Sequence, residues 1–315
     1  MTDGQRRDSL LAAFIGACGP DGVCADEPMS AHTTFRIGGP ADYFLMPPGG
    51  EALRTVIRTC EDAEIPYHIV GNGSNLLVSD KGVRGAVIRI GRQMSRIERN
   101  GDEIAAEAGA LLSAVAAKAQ EEGLEGFVFA GGIPGSFGGA CVMNAGAYGG
   151  EMKQVLKEVR CLDEAHEEIA LKAEDLGLGY RSSIFMKRPC IVLSGTIALR
   201  EGDKEEIARE SAELKRRRQE KQPLDLPSAG STFKRPTGYF AGKLIQDAGL
   251  RGYSVGGAQV SEKHCGFVVN TGGATAEDVF GLIRHVQAEV KREFGVDLQT
   301  EVRFLGEFDN EGERA

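Results

Sequence analysis

Two segments of this sequence are dense in glycine, where backbone amides rather than side chains could do the chemistry. The first is VGNGSNLLVSD at 70–80 and the second is AGGIPGSFGGACVMNAGAYGG at 130–150. Glycine loses more conformational freedom on folding than any other residue, so a cluster indicates positive-φ turns or close contact with a ligand. Apolar residues such as Ile133, Phe137 and Val142 run through the second segment, which predicts a buried or lid-like segment rather than a solvated loop.

The first segment follows a stretch of strand character. Residues 71–75 could curl so that several N–H groups point at one anion, an arrangement that suits a pyrophosphate. The pattern is neither G-x-G-x-x-G nor a P-loop, and on its own a plain hairpin turn explains it equally well.

The whole chain has the composition of a globular protein. Its 315 residues suffice for two domains, and 42% of them are hydrophobic and 26% charged. A net charge of −9 argues against a nucleic-acid partner. The basic run KRRRQEK at 215–221 is predicted to be the solvated end of a charged helix.

Cysteine and histidine usage indicates neither a disulfide framework nor a metal site. Seven cysteines occur without a C-x-x-C pair, which predicts free thiols in a reducing cytoplasm. The five histidines are scattered, so we expect no metal ligand set. No stretch approaches the ~20 apolar residues of a membrane helix, and GQRRDSLLAAFIGACG near the start predicts an amphipathic helix rather than a signal peptide.

Strand and helix patterns mix without strict βαβ alternation, so the predicted class is α+β. TTFRIGGPADYFLMP predicts strand, turn and strand, and EDLGLGYRSSIF predicts a short helix. DKEEIARESAELKRRRQEKQP predicts a charged connecting helix, and DLQTEVRFLG predicts a last strand.

The glycine-rich segments stand in a series of motifs that resembles the UDP-N-acetylenolpyruvoylglucosamine reductase family. The motifs, spread over about residues 29–306, are TTFRIGGPAD, GNGSNLLVSD, GIPGSFGGA followed by NAGAYGGE, YRSS, AGSTFKRP, AGKLIQDAGLRG and TEVRFLG. The resemblance implies a cytoplasmic enzyme that reduces enolpyruvyl UDP-N-acetylglucosamine to UDP-N-acetylmuramate for peptidoglycan. It implies non-covalent FAD, NADPH as hydride donor in the substrate's own cleft, and a ping-pong order.

The resemblance also implies a domain organisation. We expect an FAD-binding domain of the vanillyl-alcohol-oxidase (PCMH) type and a smaller C-terminal α+β substrate-binding domain. The expected ranges are a lead-in with a helix at 1–32, the FAD-binding domain at 33–200, a connecting helix at 201–222, the substrate-binding domain at 223–306 and a tail at 307–315.

Matching the family's motifs residue by residue gives a set of expected FAD contacts. They are Gly71, Asn72, Gly73, Ser74, Asn75, Ile133, Pro134, Gly135, Ser136, Gly138, Gly139, Asn144, Gly146 and Arg303.

Three residues match the family's catalytic positions. Arg181 is expected to face the substrate carboxylate, with Glu301 near the same group. In the implied reaction flavin N5 delivers hydride to C3 and Ser231 donates a proton to C2. Judged singly, each residue has an ordinary structural explanation, and only their joint occurrence favours catalysis.

The sequence departs from one form of the family, which carries a tyrosine on a loop inserted after the YRxS motif. YRSSIFMKRPCIVLSG runs straight into a predicted strand, so other groups must neutralise the UDP diphosphate. Lys234, Arg235 and Lys243 are the candidates. His264 is a further substrate-binding candidate, with a structural role as the alternative.

Two other functions stay open from the sequence. One is another FAD-dependent oxidoreductase of the same fold, and the other is a non-catalytic flavin or nucleotide-sugar binding protein. The oligomeric state is also open, with a monomer as the expectation.

Overall fold

The computed structural model describes residues 2–308, which pack as two units. Among these residues, the first unit comprises 2–24, 43–72 and 86–218, and the second comprises 25–42, 73–85 and 219–308. The chain therefore leaves and re-enters each unit, and the segment at 70–80 crosses from the first to the second between Asn72 and Gly73.

The helices and strands alternate irregularly along the chain. The helices are α1 (Asp3–Cys18), α2 (Gly50–Asp62), α3 (Leu112–Glu121), α4 (Phe137–Met143), α5 (Lys204–Lys221), α6 (Ala241–Asp247) and α7 (Ala276–Phe294). The strands are β1 (Val23–Pro28), β2 (Pro40–Leu45), β3 (Tyr67–Val70), β4 (Leu76–Val78), β5 (Val83–Arg89), β6 (Ile97–Asn100), β7 (Glu103–Glu107), β8 (Leu124–Glu125), β9 (Gly146–Ala147), β10 (Gly150–Glu151), β11 (Leu156–Leu162), β12 (Glu168–Lys172), β13 (Ile191–Ala198), β14 (Arg200–Glu201), β15 (Ser228–Ser231), β16 (Ser254–Val255), β17 (Ala258–Val260), β18 (Phe267–Asn270) and β19 (Arg303–Leu305).

The first unit is built around an antiparallel sheet in the order β12-β11-β13-β7-β6. The short helix α4 packs on β13, where Gly195 leaves room for the buried ring of Phe137. A Cβ at Gly195 would lie 3.1 Å from that ring, so a glycine lets the helix approach the sheet closely. Helix α2 contributes a buried stripe of Leu53, Val56, Ile57 and Cys60, which matches its helical apolar spacing.

The second unit pairs a sheet in the order β15-β18-β17-β16 with helix α7, whose buried face includes Val279, Ile283 and Val286. Strand β19 pairs in parallel with β4, so residues 303–305 lie beside residues 76–78. Phe35 and Leu77 are fully buried in this unit's core.

Asp80, the last residue of the motif GNGSNLLVSD, holds the start of α7. Its Oδ1 accepts from the Ala276 amide at 2.8 Å and its Oδ2 accepts from the Glu277 amide at 3.1 Å. Helix N-termini leave amides without partners and carry partial positive charge, so a carboxylate there stabilises the helix.

We therefore expect Asp80→Ala to lower the free energy of unfolding by about 1 kcal/mol, measured by urea denaturation. Asp80→Asn keeps an acceptor without the charge and should lose less. Equal stability of all three proteins would contradict the capping role.

The α+β class is confirmed, but two local predictions are wrong. Residues 33–39 form no strand, because Arg36 takes a φ of 56° in a turn closed by hydrogen bonds between Thr33 and Ile37. The segment around YRSS forms no α-helix, because Gly177 at a φ of 55° ends one 3-10 turn and a tight turn follows at Gly179.

The predicted domain boundaries stay predictions, although packing divides the chain differently. Residues 25–42 and 73–85 fall in the second unit rather than in a continuous domain at 33–200. Their apolar side chains, including Ile37, are buried in the second core, and a pattern of strands along the chain cannot show which core they join. Of the predicted tail at 307–315, Phe308 is buried in that core and 309–315 lie outside the described residues.

Within residues 2–308, no helix combines the length and apolarity that crossing a bilayer requires. Across the same residues, no three His, Cys, Asp or Glu side chains are grouped to bind a metal ion.

Candidate active site

Backbone hydrogen bonds attach the second glycine-rich segment to the rest of the first unit. The amides of Phe137 and Gly138 donate to the carbonyl oxygens of Ala110 and Ala108, each at 2.8 Å. A Cβ at Gly138 would lie 2.7 Å from the Ala108 Cβ, so this glycine is explained by close packing of α4. Its amide is engaged inside the protein, which weakens the prediction that Gly138 binds a cofactor phosphate.

The other glycines of the segment have different reasons. Gly135 takes a φ of 139°, which only glycine adopts readily, and a Cβ at Gly146 would lie 2.7 Å from the Glu151 Cβ. Ser136 caps α4 by accepting from the Gly139 amide at 3.3 Å, and Gly139 itself is exposed. Ile133 packs against the core and Pro134 is exposed.

The two glycine-rich segments meet in the first unit. A Cβ at Gly71 would overlap the Ser136 hydroxyl, so the loop after β3 touches the start of α4. Arg89, at the end of β5, donates from Nη2 to Asn72 Oδ1 at 3.3 Å, and burial lowers the pKa of its guanidinium. A half-buried cation thus lies beside the predicted anion-binding loop. Sequence reasoning missed Arg89, because nothing in VIRIG marks which way its side chain points.

Arg181 lies in a strained turn of the first unit. Gly179 and Ser182 exchange backbone hydrogen bonds at 3.0 and 3.2 Å, and Arg181 between them takes a φ of 50°. For a residue with a Cβ this conformation costs roughly 1–2 kcal/mol, and such strain clusters at functional sites. Arg181 Nη2 donates to the Gly146 carbonyl at 3.2 Å, and the guanidinium lies 5.2 Å from the centre of the Tyr180 ring.

Ser231 stands in the second unit at a β-bulge. Ser228 pairs with Val269 and Ser231 pairs with Phe267, so β15 carries one extra residue over this interval. Gly230 supplies the positive φ of 75° that the bulge needs. Bulges redirect side chains, and Ser231 is exposed rather than packed.

The residue after Ser231, Thr232, pairs with Glu301. Thr232 is fully buried, its Oγ1 accepts from the Val268 amide at 3.0 Å, and its carbonyl accepts from the Glu301 amide at 2.8 Å. Two of the three predicted catalytic residues therefore lie on adjoining backbone, although they are far apart in the sequence. Arg181 belongs to the first unit and these two to the second.

The middle of the first glycine-rich segment contacts the backbone around Glu301. Asn75 Nδ2 donates to the Glu301 carbonyl at 2.9 Å, and the Arg303 amide donates to the Asn75 carbonyl at 2.9 Å. Asn75 and Arg303, both predicted as FAD contacts, thus flank Glu301. Gly73, with a φ of 63°, is explained by packing without a ligand, since a Cβ there would overlap the His32 carbonyl. Ser74 beside it is half-buried.

The predicted diphosphate cations lie in the second unit. The Lys234 amide donates to the Gln299 carbonyl at 2.8 Å, which aligns this stretch with the segment leading to Glu301. The Arg235 guanidinium lies 3.9 Å from the centre of the exposed Phe240 ring. Lys243 is paired with Asp247, with Nζ 2.5 Å from a carboxylate oxygen, so it must leave that exposed pair to bind a phosphate.

His264 is held as a neutral donor. Its Nδ1 accepts from the Gly266 amide at 3.1 Å, which requires the ring hydrogen on Nε2. Burial lowers the pKa of His264, and nearby Arg251 adds to the effect. The ring packs against Gly242 and Gly266, so a structural role accounts for much of its environment.

The basic run at 215–221 ends α5 and is exposed as predicted, except at one residue. Arg218, in the basic run predicted to be solvated, is half-buried, and burial lowers the pKa of its guanidinium. It donates to the Gly132 carbonyl and lies 5.8 Å from the centre of the Tyr148 ring. A Cβ at Gly132 would lie 2.8 Å from Arg218 Nε, so Gly132 makes room for this side chain. Tyr148 stands at the tip of the β9–β10 hairpin with a φ of 53°.

The N-terminal part of the chain is similar in sequence to a class of flavoproteins. A sequence model of an FAD binding domain matches residues 41–170, so the chain is a flavoprotein of that class by its N-terminal part. A model described as the C-terminal domain of UDP-N-acetylenolpyruvoylglucosamine reductase matches residues 222–305.

Whole-chain relatives identify the family. UDP-N-acetylenolpyruvoylglucosamine reductase of Clostridium perfringens (strain SM101 / Type A) is 52% identical over 94% of this chain and 96% of the relative. The enzyme of that name from Agathobacter rectalis is 55% identical over 91% and 95%. The crystal structure of the Thermus caldophilus enzyme superimposes with a TM-score of 0.78 at 37% identity, covering 89% of this chain and 98% of that one. The chain belongs to the UDP-N-acetylenolpyruvoylglucosamine reductase family, as the motifs indicated.

The residues of the first unit fit an FAD group. Two glycine-rich loops meet where Gly71 contacts Ser136, Arg89 adds a positive charge beside Asn72, and Gly139 leaves the outer surface of α4 bare. These features are what the pyrophosphate and flat ring system of a dinucleotide require.

Proposed function

We propose that this protein catalyses the NADPH-dependent reduction of the enolpyruvyl group of UDP-N-acetylenolpyruvoylglucosamine, giving UDP-N-acetylmuramate for peptidoglycan synthesis. Family membership supports the reaction, and the matched FAD binding domain supports FAD as its cofactor. The observation that supports the catalytic assignment most directly is the hydrogen bond from the Glu301 amide to Thr232, the residue that follows Ser231.

When bound, FAD would supply the hydride, taken from NADPH, that adds to C3 of the enolpyruvyl group. Charge then develops on C2 and the carboxylate of the substrate, so the protein must stabilise an enolate and supply a proton. Arg181 offers a planar guanidinium to the carboxylate, and preorganised donors of this kind contribute about 3–4 kcal/mol each. Ser231 Oγ donates the proton to C2, and Glu301 acts near the substrate carboxylate.

The setting of the enzyme follows from the same proposal. The reaction is placed in the cytoplasm, where NADPH and UDP-sugars are available and free thiols persist. A net charge of −9 makes a nucleic-acid partner unsuitable, and we propose a monomer that acts on a small-molecule substrate.

The reaction is tested with purified protein, NADPH and the enolpyruvyl UDP-sugar. NADPH oxidation should depend on the sugar, and mass spectrometry should show a product that has gained two hydrogens. NADPH oxidation that proceeds equally without the sugar, at the expense of oxygen, would favour another FAD-dependent oxidoreductase. Bound flavin without any turnover would favour a non-catalytic binding protein.

Charge reversal tests the diphosphate candidates. Arg235→Glu and Lys243→Glu should each raise the KM for the UDP-sugar about 10-fold, which corresponds to about 1.4 kcal/mol. Lys172→Glu, an exposed residue on β12 of the first unit, makes the same charge change and should leave KM unaltered. An unchanged KM at position 235 or 243 removes that residue from the site.

A further inference from the structure

Asn144 has an environment that its predicted role does not explain. Its side chain is fully buried, and its backbone takes the left-handed conformation, with φ 43° and ψ 56°, immediately after α4. Nδ2 donates to the Gly179 carbonyl at 2.9 Å and to Glu151 Oε2 at 2.8 Å. Oδ1 accepts from the Lys153 amide at 2.8 Å. Both donors and one acceptor site of the amide are therefore used inside the protein, which leaves little for a cofactor.

One of these contacts, and the segment that follows Asn144, lead to Arg181. Gly179 is the first residue of the tight turn that carries Arg181, and its carbonyl also accepts from the Ser182 amide. Gly146, whose carbonyl accepts from Arg181 Nη2, lies two residues after Asn144 on the same strand-forming segment. Asn144 thus anchors the turn at Gly179, and Gly146, two residues after Asn144, binds the Arg181 guanidinium.

We propose that Asn144 is a positioning residue for Arg181 and not a cofactor contact. The strained turn needs such an anchor, because a φ of 50° at Arg181 persists only where the surroundings enforce it. Displacing a substrate-binding group by about 1 Å can cost about 100-fold in rate, so an anchor distant from the reacting atoms affects catalysis. The proposal rests on the proposed function insofar as Arg181 binds the substrate carboxylate.

The amide side chain suits this position for identifiable reasons. Asparagine tolerates the left-handed conformation better than most residues with a Cβ. Aspartate has the same shape, but it cannot donate to the Gly179 carbonyl and would put a second carboxylate against Glu151. Glu151 forms an ion pair with Lys153, whose Nζ lies 2.6 Å from Glu151 Oε1. Because a carboxylate paired in this way only accepts hydrogen bonds, the side chain at position 144 must donate to it.

The test compares Asn144→Gly and Asn144→Asp with the wild-type holoenzyme. Glycine keeps the backbone conformation and removes the buried side chain together with its hydrogen bonds, whereas aspartate keeps the side-chain volume. Glu64→Gly is a matched control, because Glu64 is an exposed residue of the same unit with a φ of 54°. The measurements are the FAD dissociation constant, flavin reduction by NADPH, and flavin reoxidation by the UDP-sugar, both without oxygen.

For both Asn144 variants we expect an FAD dissociation constant within about 3-fold of wild type and a similar reduction rate. Reoxidation should slow by about 100-fold. Adding Asn144→Gly to Arg181→Gly should produce little further loss, because both changes remove one function. An FAD affinity that falls at least 10-fold, together with losses in both half-reactions, would overturn the proposal and restore Asn144 as a cofactor contact. Fully additive losses in the double variant would also overturn it, because Asn144 would then act independently of Arg181.

A second measurement does not depend on the substrate. Hydrogen exchange at the Gly179 and Ser182 amides should become at least about 10-fold faster in Asn144→Gly and stay unchanged in Glu64→Gly. Unchanged protection in Asn144→Gly would show that the turn does not need the anchor. A wild-type flavin that the UDP-sugar cannot reoxidise would instead refute the proposed function, whatever the exchange result.

Discussion

Replacing Ser231 with alanine should leave flavin reduction by NADPH nearly intact and slow reoxidation by the enolpyruvyl UDP-sugar by about 10³-fold. The proton on Ser231 is needed only when charge has developed at C2 of the substrate, which occurs in the second half-reaction. Ser231 is exposed at the bulge, so the substitution leaves no cavity and stability should change little. Stopped-flow absorbance of the two half-reactions measures both rates separately.

Ser228→Ala is the matched control for this prediction. Ser228 lies on the same strand on the other side of the bulge, paired with Val269, and it has no assigned chemical role. Both half-reactions should keep their wild-type rates in this variant. Equal losses in the two half-reactions of Ser231→Ala would contradict the role of Ser231 as proton donor.

The second large effect is expected from Arg181→Gly, in which stability and activity should separate. Glycine relieves the left-handed strain of roughly 1–2 kcal/mol. It also adds backbone entropy to the unfolded chain and removes the hydrogen bond to the Gly146 carbonyl. These terms oppose each other, so the free energy of unfolding should stay within about 1 kcal/mol of wild type. Reoxidation by the UDP-sugar should nevertheless fall by about 10³-fold or more, because the carboxylate loses its cation.

Arg181→Lys separates charge from geometry in the same experiment. Lysine keeps a positive charge but cannot make the two parallel hydrogen bonds of a guanidinium, so its rate should lie between wild type and Arg181→Gly. Comparing urea denaturation with reoxidation kinetics for the three proteins completes the measurement. A rate loss in Arg181→Gly matched by a stability loss of several kcal/mol would mean that Arg181 serves the fold.

Helices and strands could be predicted where the residue pattern that determines them lies within one segment. The apolar spacing in α2 and the charged pattern of α5 gave the right structures, because helix periodicity is written within one segment. The predicted strand at Thr33 failed because a threonine hydroxyl closes a turn there, a contact that alternation of apolar residues does not reveal.

The site could be predicted only in part, because its contacts join distant residues. The pairing of Glu301 with Thr232 joins residues far apart in the sequence, and no local pattern distinguishes the nearby bulge glycine, Gly230, from one in an ordinary turn. Asn144 stands among glycines and was predicted to bind FAD, yet its partner Gly179 lies 35 residues later. Arg218 is similar, since three neighbouring arginines look alike in the sequence and only one is half-buried.

The glycine-rich segments show how one residue type serves several purposes. Gly138 lets α4 pack against Ala108, Gly132 accommodates Arg218, and Gly71 lets two loops touch. Only part of the bare backbone is therefore available to a ligand, and Gly139 and Gly149 are exposed examples.

The central claim is that one site reduces FAD with NADPH and then reoxidises it with the enolpyruvyl UDP-sugar. The most direct test is the visible spectrum of the purified protein without oxygen, recorded after adding NADPH and again after adding the sugar. We predict that the flavin band bleaches with NADPH and returns in full with the sugar. A band that bleaches but returns only when oxygen or another acceptor is admitted would contradict the claim.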